Sequence, residues 1–169
     1  DVCVSYANFW GGNDYDKAAG YICDHQHSHP LDHSNMFGQL YQYISDWSTH
    51  VKSWRDDCDM PTKIIRYEDM KRAPASTFLD IVQFLQLPYG EQEVETSLEK
   101  CDFAKLQNRE AVSGFRERPY EGDRFFRQGR VDDWRNSLQA QTVEQLVNRH
   151  SEEMARYGYL EEDGSIIAY

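Results

Sequence analysis

The sequence predicts an α/β domain that is mostly helical with few strands. Three observations carry that expectation. Apolar residues recur at three- and four-residue steps over several segments, the mark of helices with one buried face. One short β-branched run, Lys63-Ile64-Ile65-Arg66-Tyr67, is bounded by Pro61 and is the clearest strand in the chain. A composition of 40% hydrophobic and 28% charged residues over 169 residues suits a folded domain with its own core. A chain of this length buries roughly 70% of the surface its unfolded form exposes, and it is one domain's worth of sequence.

Residues 2–10 are apolar at Val2, Val4, Tyr6, Phe9 and Trp10, a pattern open to a strand or to the buried side of a helix. Gly11-Gly12-Asn13-Asp14 breaks it. Residues 13–37 carry Gly20 and Pro30 without any period, so a long loop is expected, of the kind that is usually functional in compact domains. Between residues 36 and 54 a helical spacing emerges at Leu40, Tyr43, Ile44, Trp47, Val51 and Trp54. After the strand at 63–67, Pro74 opens a helix bearing Phe78, Ile81, Val82 and Leu85, which Pro88 and Gly90 end. Another helix is expected over 92–100, and a short one after Asp102. Residues 110–126 contain Gly114, Pro119 and Gly122 and read as a second long loop. The last helix is expected over 142–157, with Val143, Leu146, Val147, His150 and Met154 on one face and Gly158 past its end.

A lone strand cannot satisfy its own backbone. Its partners must come from the first ten residues or from chain preceding Asp1, and the second source is expected. Residue 1 is Asp rather than Met, and the opening residues read as the middle of an amphipathic segment. The sequence is therefore expected to be the surviving part of a longer chain.

A net charge of −11 argues against a nucleic-acid partner, because such a chain repels phosphate backbone over most of its surface. No apolar run approaches the ~18 residues of a membrane span, so no membrane partner is expected either. Cys3, Cys23, Cys58 and Cys101 form no CxxC pair, which excludes a zinc knuckle or a thioredoxin-type motif. Reduced thiols and the lack of an Asn-x-Ser/Thr acceptor fit a cytoplasmic protein.

The charge map singles out one region. Residues 105–135 hold seven of the twelve arginines plus Lys105, and are net +2 inside an acidic chain. An arginine fork binds phosphate or sulfate at two points, so a basic island suggests an anion site. From charge alone an ion-paired surface is the better reading, since Glu110, Glu117, Glu121, Asp123, Asp132 and Asp133 are interleaved. Within the island, Phe125-Phe126-Arg127-Gln128-Gly129-Arg130-Val131-Asp132-Asp133-Trp134 adds a glycine that lets backbone approach a ligand, a fork beside it, and a tryptophan to anchor the turn.

That run, with its Arg-x-Gly followed by Asp-Asp-Trp, resembles the C-terminal signature of the cytosolic-type sulfotransferases, which use 3′-phosphoadenosine 5′-phosphosulfate (PAPS). Other segments resemble the family in order and spacing. Arg66-Tyr67-Glu68-Asp69-Met70 before Pro74 is similar to its Tyr-Glu-Asp-Leu strand end. Trp47-Ser48-Thr49-His50-Val51-Lys52-Ser53-Trp54 is similar to its Trp-x-x-His-Val-x-x-Trp helix, and Asp1-Val2-Cys3-Val4-Ser5-Tyr6 to the helix bearing its 3′-phosphate-binding serine. The resemblance implies a P-loop-type three-layer α/β fold, with residues 1–169 as the C-terminal portion of a single sulfotransferase domain. It implies that Ser5, Arg127 and the Gln128-Gly129 backbone bind the nucleotide 3′-phosphate. It also implies that Tyr67, Cys101 and Phe103 lie against the adenine, with Phe125 and Phe126 beside the adenine or the acceptor pocket; aromatic faces suit a purine.

By the same resemblance the phosphate-cradling loop with its lysine and the catalytic histidine lie before Asp1, so no catalytic residue is assigned within this chain. Gln128 stands where the family has Lys, which removes a charge and costs nucleotide binding ~1 kcal/mol. The family's dimerisation motif falls on Arg135, Gln139, Ala140 and Glu144 and matches only at its ends, which leaves the oligomeric state open.

His25, His27, His29 and His33 with Asp24 and Asp32 form a dense run of metal-capable side chains, and alternate residues of a strand would share one face. The run reads as loop, and no metal site is assigned to it. The resemblance puts it beside the acceptor pocket. The function expected is sulfuryl transfer from PAPS, leaving 3′-phosphoadenosine 5′-phosphate (PAP), to a hydroxyl or amine of a small molecule. The alternatives are a catalytically inactive, mostly helical nucleotide-binding or interaction module, and a metal-binding protein built on the histidine loop.

Overall fold

The computed structural model describes residues 1–9, 12–29, 41–118 and 124–168. Trp10, Gly11, Pro30, Asp32, His33, Met36 and Leu40, and in the second expected loop Pro119, Glu121, Gly122 and Asp123, lie outside the described residues. The chain divides into two units: the described residues of 1–8, 12–62 and 134–168, and those of 63–133 with Phe9.

The first unit begins with α1 (Val2–Phe9), which buries Cys3, Val4 and Ala7 on one face. The expected loop over 13–37 instead opens with a helix, α2 (Tyr15–Cys23). Asp14 caps it by accepting from the Lys17 amide at 2.9 Å, and Ala18 and Ala19 are its buried residues. Alanines carry no long apolar stripe, which is why periodicity missed the helix. Cys3, Ala7, Ala18 and Ala19 form the core cluster, with Tyr6, Tyr15, Ile22, Leu138 and Leu146 packed against it. A two-residue ladder follows: β1 (Ser28–His29) pairs antiparallel with β2 (Gln42–Tyr43), Ser28 opposite Tyr43 and His29 opposite Gln42. The helix expected from 36 therefore starts later, as α3 (Trp47–Asp56). Its boundary is chemical: the Asp46 carboxylate accepts from the Thr49 amide at 2.8 Å.

Helix α9 (Ala140–Arg156) packs on α2 and α3. It ends at the expected Gly158, whose φ is +72°. The Gly158 amide donates to the Ala155 carbonyl and the Tyr159 amide to that of Met154, a Schellman closure. The stripe read in the sequence turns inward, with His150 buried and Val143, Leu146, Val147 and Met154 half-buried, but the most deeply buried side chains on the helix are polar. Thr142, His150 and Glu153 are its buried residues, and each has a polar partner waiting. The Thr142 hydroxyl meets the Asp16 carboxylate at 2.5 Å, Ser48 Oγ lies 2.8 Å from His150 Nδ1, and Arg55 donates to Glu153 at 2.6 Å.

In the second unit, residues 63–66 are not a strand. Arg66 is extended (φ −88°, ψ 145°), but no neighbouring chain pairs with the segment among the described residues, and Ile64 is 43% exposed. Without a partner a β-branched run has no ladder to join. Tyr67 instead opens α4 (Tyr67–Arg72), which leads into α5 (Pro74–Phe84), with Pro74 at its first turn as expected. Helix α6 (Glu91–Lys100) begins where the Glu93 carboxylate accepts from the Gly90 amide at 2.8 Å, and it packs on α5. The helix after Asp102 is longer than expected: α7 (Phe103–Ser113) is capped by Asp102 and ended by Gly114. It takes the first residues of the expected loop at 110–126. Helix α8 (Trp134–Ser137) belongs to the first unit.

Candidate functional site

Seven of the eight residues singled out for cofactor binding, Tyr67, Cys101, Phe103, Phe126, Arg127, Gln128 and Gly129, lie in the second unit; Ser5 lies in the first. Ser5 sits on the exposed side of α1, opposite the buried Cys3, Val4 and Ala7, so its hydroxyl faces solvent.

The centre of the second unit's cluster is the contact between Gly129 and Phe103. Gly129 has φ +60°, a left-handed conformation that disfavours side chains. A Cβ built there would come within 2.6 Å of the Phe103 ring. Glycine is required twice over, by its backbone and by the ring pressed on it. Phe103 is the first residue of α7, fixed by the Asp102 cap, whose carboxylate accepts from the Lys105 amide at 3.1 Å. Lys71 on α4 holds its ammonium 5.6 Å from the centre of the same ring, a cation–π contact. Tyr67 lies one turn before Lys71, on the same face of α4. Tyr67 is 36% exposed, and burial followed by the Glu68 charge pushes its phenol above the ordinary value. Cys101 closes α6 two residues before Phe103 and is exposed.

Arg127 is half-buried and paired with the Asp133 carboxylate, so its guanidinium already has an orientation. Gln128 is exposed. Phe126 packs edge-on to Phe103 at 6.2 Å and into a cluster with Phe115 and Phe125 at 5.0 and 5.1 Å. Trp134, expected to anchor the turn, is half-buried at the start of α8 with the Arg135 guanidinium 4.4 Å over its ring.

Sequence reasoning missed two residues that hold this segment in place, Gln107 and Glu110 on α7. The Phe125 and Phe126 amides donate to the Glu110 carboxylate at 2.7 and 3.0 Å. Gln107 Nε2 donates to the carbonyls of Phe126 and Arg127 at 2.9 and 3.2 Å. Burial pushes the Glu110 carboxyl up, but the two amides, helped by Arg118 and Arg124, outweigh it and leave it below the ordinary range. One signal was present: Glu110 is the only acid in the α7 sequence.

The histidine run is built differently. Tyr6 Oη lies 2.7 Å from His27 Nε2 and 3.3 Å from His29 Nε2, and the Tyr21 ring stacks on His27 at 4.5 Å. Burial lowers the affinity of both imidazoles for protons. Among the described residues, no group of three His, Cys, Asp or Glu side chains is placed to hold a metal ion.

Against known protein families, residues 1–158 match the sulfotransferase domain. The chain belongs to the sulfotransferase family. Cytosolic sulfotransferase 15 of Arabidopsis thaliana is 32% identical over 108 residues, 59% of this chain and 30% of its own length. Flavonol 4'-sulfotransferase of Flaveria chlorifolia is 24% identical over 136 residues, 72% of this chain and 42% of its own. Sulfotransferase 2A2 of Mus musculus is 25% identical over 160 residues, 93% and 54%. This sulfotransferase chain thus spans between about a third and about half of the relatives it matches.

Proposed function

We propose that this chain is the nucleotide-holding part of a PAPS-dependent sulfotransferase of the P-loop three-layer α/β fold. Its complete form transfers a sulfuryl group from PAPS to a hydroxyl or amine of a small-molecule acceptor. The observation that carries the reading is the Arg127-Gln128-Gly129 turn. A half-buried guanidinium stands beside a left-handed glycine whose Cα lies bare against an aromatic ring. Such a turn offers a fork and a close backbone approach to a phosphate, with a ring edge for a purine.

PAPS, when bound, supplies the activated sulfuryl group. This chain's residues bind and orient. Arg127 and the Gln128-Gly129 backbone take the 3′-phosphate, while Tyr67, Cys101, Phe103 and Phe126 take the adenine. Ser5 is assigned a phosphate contact by the same reading. Sulfuryl transfer, like phosphoryl transfer, depends mainly on positioning and on stabilised oxygen charge, so residues that only hold the donor contribute to rate. Residues 63–66 join, in this reading, a sheet whose other strands come from chain outside residues 1–169. Support comes from the extended Arg66, the exposed Ile64, and an apolar helix α5 that buries none of its residues fully. The relatives named cytosolic point to the cytoplasm as the compartment.

Arg127→Ala is expected to weaken PAP binding by at least ~2 kcal/mol, because a partly buried phosphate loses its charged partner. Calorimetric titration of the 169-residue chain reads this directly, and unchanged affinity would remove Arg127 from the site.

A further inference from the structure

We infer that Gln107 and Glu110 are positioning residues that set where Arg127 presents its guanidinium to the nucleotide. The inference rests on the reading of that turn as the 3′-phosphate site and adds a mechanism for its geometry. Four hydrogen bonds carry it. Glu110 accepts from the Phe125 and Phe126 amides at 2.7 and 3.0 Å, and Gln107 donates to the Phe126 and Arg127 carbonyls at 2.9 and 3.2 Å. Two side chains one turn apart on α7 therefore do for residues 125–127 what an adjacent strand does in a sheet.

The same helix also fixes the far side of the turn. Phe103, at the start of α7, presses on Gly129. Seven residues of helix separate Phe103 from Glu110, about 10 Å of rigid rod. Arg127 lies between the two attachment points and is tied to α7 through its own carbonyl. Its guanidinium pairs along the turn with Asp133. Glu110 is suited to the task because it is only 6% exposed, so the carboxylate would otherwise have lost its hydration without return. A side chain that merely filled space would not need two lone-pair sites aimed at consecutive amides.

The test compares PAP with adenosine 5′-monophosphate (AMP), which lacks the 3′-phosphate, by calorimetry on the whole 169-residue chain. Wild type is expected to prefer PAP. Glu110→Gln, which keeps one acceptor, and Gln107→Ala, which removes only the two carbonyl contacts, are each expected to cut that preference by about tenfold, since displacing a contact by ~1 Å costs of that order or more. AMP affinity should stay within about twofold of wild type. Combined with Arg127→Ala, neither should reduce the preference further, because both act through that guanidinium. A preference that survives in a folded Gln107→Ala chain, or PAP and AMP affinities that fall together, would overturn the positioning role while leaving the phosphate site standing. A wild-type chain that binds PAP no better than AMP would refute the phosphate site itself, and the positioning role with it.

Discussion

Gly129 cannot become alanine without cost. Its φ of +60° disfavours a side chain by ~1–2 kcal/mol, and the new methyl would start 2.6 Å from the Phe103 ring. Gly129→Ala is therefore expected to lower the stability of the second unit by about 2 kcal/mol and to weaken PAP binding as well. Chemical denaturation beside a PAP titration checks both, and an unstrained, fully binding variant would contradict the turn described. As a turn, though not as a proven site, Arg127-Gln128-Gly129 was visible in the sequence because a glycine follows closely on a fork in an otherwise acidic chain. Glu110 was not. Its partners are backbone amides 15 and 16 residues away, and a backbone amide carries no sequence mark. Phe115 escaped notice for a related reason: its contacts are with Phe125 and Phe126, across a stretch with no period to follow.

Helices were read correctly where one face is apolar and the ends are chemically marked. Helix α5 has Pro74, α6 has Gly90, and α9 has Gly158. They were misread where the marks are polar or the buried residues small, as in α2 with its Asp14 cap and its two alanines. The pairing of α3 with α9 is a case of polar contacts doing what an apolar stripe was expected to do. Glu153, with no exposed side chain, meets Arg55 at 2.6 Å, Arg156 at 3.5 Å and Lys52 at 3.6 Å. Asp46, likewise buried, caps α3 and pairs with Arg149 at 2.6 Å. Burial alone would raise the Asp46 carboxyl, but the Thr49 amide and Arg149 outweigh it and hold it below the ordinary value. Asp46→Ala removes a cap worth ~1 kcal/mol and a charged hydrogen bond worth ~1.5 kcal/mol, so about 2–3 kcal/mol of stability should go. Asp46→Asn keeps the cap and should recover about 1 kcal/mol of that loss. Equal losses in the two variants would mean that the cap contributes nothing.

For the molecule as a whole, the histidines make stability depend on pH in a known direction. Burial depresses the proton affinity of His27, His29 and His150 below the ordinary 6.5. At His150 the Asp46 charge opposes that shift and the Arg149 charge adds to it. At His27 Asp24 opposes it, and at His29 the neighbouring His27 adds to it. The unfolded chain therefore takes up protons first as pH falls. Stability is full above about 6.5 and is lost below it, down to the depressed native values. Melting temperature should fall between about pH 7.5 and about pH 5.5, and His150→Asn should reduce that slope; a flat profile would contradict the burial described. No helix among the described residues is long and apolar enough to cross a membrane. The strand expected at 63–67 finds no pairing partner among the described residues, since a strand is defined by a neighbour that its own sequence does not contain.

The Arg127-Gln128-Gly129 turn, with Phe103 against it, is proposed as a site for the nucleotide of PAPS. Calorimetric titration of the 169-residue chain with PAP, beside ATP as control, tests it most directly. Saturable binding of PAP that ATP does not match is expected. A folded chain that binds neither, or binds both alike, would contradict it.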